Sequence, residues 1–319
     1  MGEAAPVPHD PHAALVVMYH YIRDPERTPF PSLKTLRTTE FAAQLDWLAS
    51  VRSPVAYDTF EASGPDTLPP DAFLLTFDDG FVDHYAAAFP ALRARGWGGV
   101  FFLAGASLAD PPRLLNVHKT QFLLAVLGAE RFAAEVTGAA AQVEGEASLG
   151  HRAEVYRYDE TPDLAAKHRL NYEMPLAEAA RVLSDLFGRH VGEEAAFARH
   201  LYLSRGMVRE MAEGGMTFGF HTEDHPVLSR LDRDAQRREV AHGVALIREL
   251  TGQRRVPFCY PYGHAHTYNT DTLAVLAEAG YGMAFTTARR LARPGIDPRF
   301  EMPRLDTRDL PPFHNQFSV

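Results

Sequence analysis

Two carboxylates, Asp78 and Asp79, stand side by side where the apolar run Leu74-Leu75-Thr76-Phe77 stops, with Gly80 directly after them. Neighbouring Asp side chains repel each other unless a proton or a cation stands between them, so the pair costs stability and points to chemistry. Downstream, His221-Thr222-Glu223-Asp224-His225 sets two imidazoles four residues apart. The two segments together offer oxygen and nitrogen ligands for a divalent ion, with one carboxylate left over to act on a water molecule. Each is weak evidence alone. With 15 His in 319 residues a His-x-x-x-His pair arises readily by chance, and Asp-Asp-Gly can be a simple turn. A third segment, Tyr260-Pro261-Tyr262-Gly263, ends another apolar run.

Something must hold these residues together. Residues 14–18, 72–77, 99–103, 216–220, 257–260 and 283–286 are short, continuously apolar runs, the pattern of strands buried on both faces. Helical patterns lie between them. Residues 232–250 read as one helix with Val240, Val244 and Ile247 inward and Gly252 past its end; residues 272–279 read as a shorter one stopped by Gly280. The alternation predicts an α/β fold with a parallel sheet, open or closed into a barrel. His20, Asp78, Asp79, His221 and Tyr262 all follow strands directly. Active sites of parallel α/β folds form at the carboxyl ends of strands, so one shared site is expected.

Residues 111–204 break this rhythm, with helical stretches at 120–127 and 175–187 and a small-residue, weakly hydrophobic piece at 138–150. They read as a mainly helical insertion between barrel segments 1–110 and 205–319. It would be a lid over the site, a contact in a homo-oligomer, or extra packing on the barrel exterior.

The bulk numbers exclude several classes. Hydrophobic residues make up 46% and charged residues 23%, ordinary for a globular protein with a core. A net charge of −9 argues against nucleic acid or an anionic membrane surface as partner. A single cysteine, Cys259, allows no intrachain disulfide. No apolar stretch is long enough to span a bilayer, and the first ten residues lack the pattern of a secretory signal, so a cytoplasmic location is expected. There is no Gly-x-Ser-x-Gly elbow, Walker loop, Gly-x-Gly-x-x-Gly after a strand, or His-Glu-x-x-His.

The three motifs together resemble the polysaccharide deacetylase family, also called the NodB-homology or carbohydrate esterase 4 group. Thr76-Phe77-Asp78-Asp79-Gly80 matches its first motif, His221 to His225 its second, and Pro261-Tyr262-Gly263 the end of its third. The resemblance covers residues near 14–110 and 205–310. It implies a distorted (β/α) barrel, with Asp78 as general base and Asp79, His221 and His225 as ligands of a zinc-like divalent ion. It also implies that the backbone N–H of Tyr262 helps to hold the oxyanion. The chemistry is consistent: a poorly electrophilic amide benefits from a Lewis acid, an activated water and an acid for the amine. One departure concerns the base. Many members carry an Arg two positions before the motif's Pro, usually paired with that base, and here the position is Cys259. Arg304 is a candidate replacement; the alternative is a surface Arg paired with Asp306 or Asp309.

The family's late Leu-x-His and its Asp/Trp-bearing fourth motif are not found, and Trp47 and Trp97 read as core aromatics. The general acid is open among His20, His264, His266 and His314, with His20 favoured by its place after the first strand. His118 would reach the site if the insertion is a lid, and otherwise reads as a solvated helix residue. Glu223 and Asp224 read as flanking the ligands, and Cys259 as inert packing, with a thiol ligand as the lesser reading.

Three readings follow. The first is a metal-dependent hydrolase removing an acyl group, acetyl or formyl, from an N-acylated amino sugar. The second is a non-catalytic carbohydrate-binding homologue, and the third a metal hydrolase of a small non-sugar amide. With no export signal, the expected substrate is an intracellular free, nucleotide-linked or lipid-linked amino sugar.

Overall fold

A computed structural model describes residues 10, 12–64, 66–140 and 161–313. Eight strands run in chain order: β1 Leu15–Tyr19, β2 Ser53–Pro54, β3 Ala72–Phe77, β4 Val100–Leu103, β5 Thr217–Phe220, β6 Phe258–Cys259, β7 Ala284–Phe285 and β8 Leu305–Asp306. All pair in parallel, in the order β7-β6-β5-β4-β3-β1-β8, with β2 added beside β3. The two ends of this path meet through an isolated bridge between Phe285 and Met302, in the segment leading to β8. This is the parallel sheet expected from the apolar runs, closed into the distorted barrel that the family resemblance implied.

Those runs are apolar because both faces are covered. Leu15, Val17, Leu75, Phe77 and Phe101 pack outward under the helices, while Val16, Leu74, Phe102, Cys259 and Phe285 pack inward. The register then sets the site. β1 pairs with β3 from Leu15–Phe73 to Tyr19–Phe77, and the Asp78 N–H donates to the Tyr19 carbonyl, so His20 and Asp78 leave the sheet together. β4 pairs with β5 up to Leu103–Phe220, and the His221 N–H donates to the Leu103 carbonyl.

Two sequence expectations change. Residues 232–250 form two helices, Arg233–Val240 and Gly243–Thr251. The Tyr281 hydroxyl donates to the Val240 carbonyl (2.7 Å) and so competes with the helical ladder there. Any Cβ on Gly243 would stand 2.3 Å from both Phe220 and that hydroxyl. Strands β2 and β8 were not expected, because Ser53–Pro54 and Leu305–Asp306 lie outside any continuous apolar run.

The insertion carries a second apolar core. Helices Asn116–Leu127, Ala129–Ala140, Thr161–His168, Leu176–His190 and Glu194–Leu201 bury Phe122, Leu123, Phe132, Leu186 and Phe187 together with Tyr21 and Phe81 from the barrel loops. Tyr21 stacks on Phe81 at 3.9 Å. The 138–150 piece begins inside helix Ala129–Ala140 and otherwise lies outside the described residues. Among the described residues, no helix is long and apolar enough to cross a membrane.

Candidate metal centre

Strand ends alone do not place ligands; the turns after them do. Five non-glycine residues among those described hold left-handed backbones, and four of them are Asp79, Thr222, His225 and Tyr262. Such conformations cost on the order of 1–3 kcal/mol each and persist where surrounding contacts impose them. The His221–His225 turn is pinned throughout. Its carbonyls at Thr222 and Glu223 accept from Gly105 and Ala106, and Thr222 Oγ1 accepts from the His225 N–H. Glu239 Oε2 accepts from the N–H groups of Glu223 and Asp224. The Glu223 and Asp224 side chains turn away from the imidazoles to Arg113, and Glu223 also meets His242.

Asp79, His221 and His225 converge, with one ligand atom from each lying within 4.8 Å of the others. Asp79 Oδ1 is 3.7 Å from His221 Nε2 and 3.8 Å from His225 Nε2. The Nδ1–H of His221 donates to the Cys259 carbonyl (2.8 Å), which fixes the tautomer and leaves the Nε2 lone pair facing Asp79. Burial pushes His221 down, and burial followed by His221 pushes His225 down to about 3, so both imidazoles are neutral and ready to ligate. Asp79 Oδ1 itself is buried with no hydrogen-bond partner. A carboxylate oxygen facing two imidazole lone pairs is repulsive without a cation, so the donor set fits a divalent ion.

Asp78 faces the other way. Arg304 grips it with two 2.8 Å contacts, Nη1 to Oδ1 and Nη2 to Oδ2, and also donates to Thr76 Oγ1 and the Thr286 carbonyl. Burial would raise Asp78, but Arg304 outweighs it and holds the carboxyl at about 2. The alternative of a surface Arg paired with Asp306 or Asp309 is not realised: Arg304 is 1% exposed, and Asp309 pairs with Arg289. Cys259 is more than packing. Its Sγ lies 2.9 Å from Arg304 Nη2 and 3.6 Å from Asp78 Oδ2. The guanidinium beside it comes from the residue directly before β8. The trio Asp78, His221 and Cys259 also has ligand spacing. It suits an ion poorly, because Arg304 already occupies it with positive charge and burial pushes the thiol well up.

The remaining candidates separate by position. His20 Nε2 stands 3.9 Å from Asp78 Oδ2, with 41% of its side chain exposed. It lines, with Asp78, Asp79, His221, His225 and Tyr262, a cavity of about 580 Å³. His264 and His266 stack on each other outside this lining, and His314 lies outside the described residues. Trp47 and Trp97 are partly buried against the barrel core.

His118 is the clearest correction. Read as a solvated helix residue unless the insertion reached the site, it is fully buried, with Nε2 3.2 Å from Asp79 Oδ2 and Nδ1 2.6 Å from the Tyr202 hydroxyl. Tyr202 went unnoticed in the sequence. A signal for His118 existed in its spacing four residues before Phe122, on one helical face.

Comparison with known proteins shows what the chain is similar to. A model of the polysaccharide deacetylase family matches residues 184–284, which hold His221, His225 and Pro261-Tyr262-Gly263. The chain is 23% identical over 279 residues to the putative polysaccharide deacetylase YxkH of Bacillus subtilis (strain 168). The match takes in 85% of this chain and 63% of that relative, so the chain spans under two thirds of its length. Among solved structures, the Streptococcus pyogenes deacetylase PplD in complex with acetate superposes with a TM-score of 0.57 at 17% identity, covering 93% of each chain. IcaB from Ammonifex degensii gives 0.57 at 21% identity, covering 92% of this chain and 91% of its own. The likeness to these solved structures is one of fold, a parallel barrel, and the likeness to the polysaccharide deacetylase family model is confined to residues 184–284.

Proposed function

We propose that this chain is a metal-dependent hydrolase that removes an N-acyl group, most simply N-acetyl, from an amino sugar. The observation that carries the reading is the division of labour between adjacent carboxylates: Asp78 has a permanent cation in Arg304, while Asp79 Oδ1 is buried against two imidazoles with nothing to balance it. Asp79, His221 and His225 would hold a zinc-like ion, which when bound supplies a Lewis acid for the amide carbonyl and acidifies a water. Asp78 is the base that takes the water's proton, with Arg304 fixing its orientation and keeping it ionised. The Tyr262 N–H, on its left-handed turn, donates to the oxygen as negative charge develops there, an effect worth about 3 kcal/mol. His20, beside Asp78 and open to the cavity, gives a proton to the nitrogen as the C–N bond breaks and regains one from solvent.

The cavity supports a small substrate. Its volume of about 580 Å³ falls in the range of small-molecule sites, roughly 300–1,000 Å³, and Val117, Thr120, Gln121 and Leu124 of the insertion wall one side. We place the substrate among free, nucleotide-linked or lipid-linked amino sugars inside the cell. The test is a screen for acetate and formate release by zinc-loaded protein across monomeric, activated and polymeric N-acyl amino sugars. Turnover of a monomeric or activated sugar is expected. Cleavage of long chito-oligomers alone would remove the small-substrate reading, and release from none would remove the hydrolase.

A further inference from the structure

We infer that His118, delivered by the insertion, is a positioning residue that holds Asp79 in its metal-binding orientation; the inference rests on the metal site proposed above. The two oxygens of Asp79 have different neighbours. Oδ1 faces His221 and His225, whereas Oδ2 faces His118 Nε2 at 3.2 Å, within hydrogen-bond distance but off its ideal direction. His118 therefore meets the far side of the carboxylate rather than completing the ligand set.

The proton arrangement follows from the partners. A lone pair on Nε2 aimed at a buried carboxylate would be repulsive, so Nε2 carries the hydrogen and Nδ1 accepts. The Tyr202 hydroxyl supplies that second proton: it accepts from the Leu115 N–H (3.1 Å) and lies 2.6 Å from Nδ1. A directed chain results, from the Leu115 amide through Tyr202 and His118 to Asp79. It is sealed from water, since His118 is fully buried and its ring packs near Phe81, Tyr21 and Tyr202. The C-terminal end of the insertion closes on the Asp79-Gly80-Phe81 turn: the Leu203 N–H donates to the Gly80 carbonyl, and Phe81 bridges Tyr202. A hydrogen bond to the outer oxygen of a ligating carboxylate fixes its rotation, and loss of such a partner typically costs 10–100-fold in metal affinity.

The experiment is zinc affinity by competition with a chelating dye, which needs no substrate. The apo-protein Tm is followed alongside, using wild type, His118→Phe, His118→Gln and Tyr202→Phe. His118→Phe keeps the apolar packing and removes the donor, and a 10–100-fold weaker affinity is expected. His118→Gln retains an amide N–H and should recover part of that loss. Tyr202→Phe should weaken zinc several-fold with the apo Tm little changed. If His118→Phe binds zinc within twofold of wild type, the inference is wrong. If that variant does not fold, Tyr202→Phe decides, and an unchanged affinity overturns the inference. Wild type that binds no divalent metal removes the metal centre itself, a failure distinct from variants matching a zinc-binding wild type.

Discussion

Asp78 and Asp79 are neighbours in sequence, equally buried, and surrounded in opposite ways. Around Asp78 the charge is settled by the fold: a guanidinium from the residue before β8, a hydroxyl from β3 and a thiol from β6 meet in one packed cluster. Around Asp79 the groups are neutral imidazoles, and one carboxylate oxygen is left over. One residue is finished when the chain folds; on the proposed reading, the other is finished by an added cation. Chemistry that needs both a fixed base and a removable ion can thus be built from a dipeptide, provided its two sides face different neighbours.

The largest effect should come from exchanging the two. Asp79→Asn is expected to lose zinc altogether by elemental analysis, whereas Asp78→Asn should keep zinc and lose about 10²–10⁴ in kcat. Equal zinc loss in both variants would erase the distinction. Next in size is the buried pair itself. Arg304→Met strands a carboxylate in the interior and should cost about 3–5 kcal/mol in denaturant unfolding of the apo-protein. The double variant Asp78→Asn/Arg304→Met should then cost less than the sum of the single changes, and strict additivity would mean that the pair is not coupled.

A smaller effect sharpens the Asp78 side. His84 donates from Nε2 to the His20 carbonyl (3.0 Å) and is buried near Phe77, Phe81 and Phe101, with Nδ1 unpartnered. Burial lowers it to about 4. The unfolded chain binds a proton near pH 6.5 and the folded chain only near 4. Stability is therefore complete above about 6.5 and falls as pH drops through that window, by about 3 kcal/mol. His84→Gln, which does not titrate, should flatten this part of the stability–pH curve. An unchanged slope between pH 6.5 and 4 would place the effect in another group.

Much of this was legible in advance, and what was missed has a common cause. The apolar runs located six of the eight strands because burial on both faces leaves a mark in composition. The motif residues lay at strand ends, where a parallel barrel gathers side chains, so the sequence brought Asp78, Asp79, His221, His225, Tyr262 and His20 to one cavity. What was not legible depends on partners far along the chain. The helix break before Gly243 is made by Tyr281, and the burial of His118 is made by Tyr202, 84 residues away. Arg304 had Asp306 and Asp309 close by in sequence as ready surface partners, and the pairing of β8 with β1 is what sets the segment beside Asp78. Cys259 looked like a small hydrophobe because the guanidinium beside it comes from another segment.

The guanidinium on Asp78 comes from 226 positions further along the chain, from the residue directly before β8. Asp78 is therefore made long before the segment that neutralises it, and the same late segment, through Asp306, Thr307 and Arg308, also walls the cavity, so closing the pocket and pairing its buried carboxylate are a single docking event.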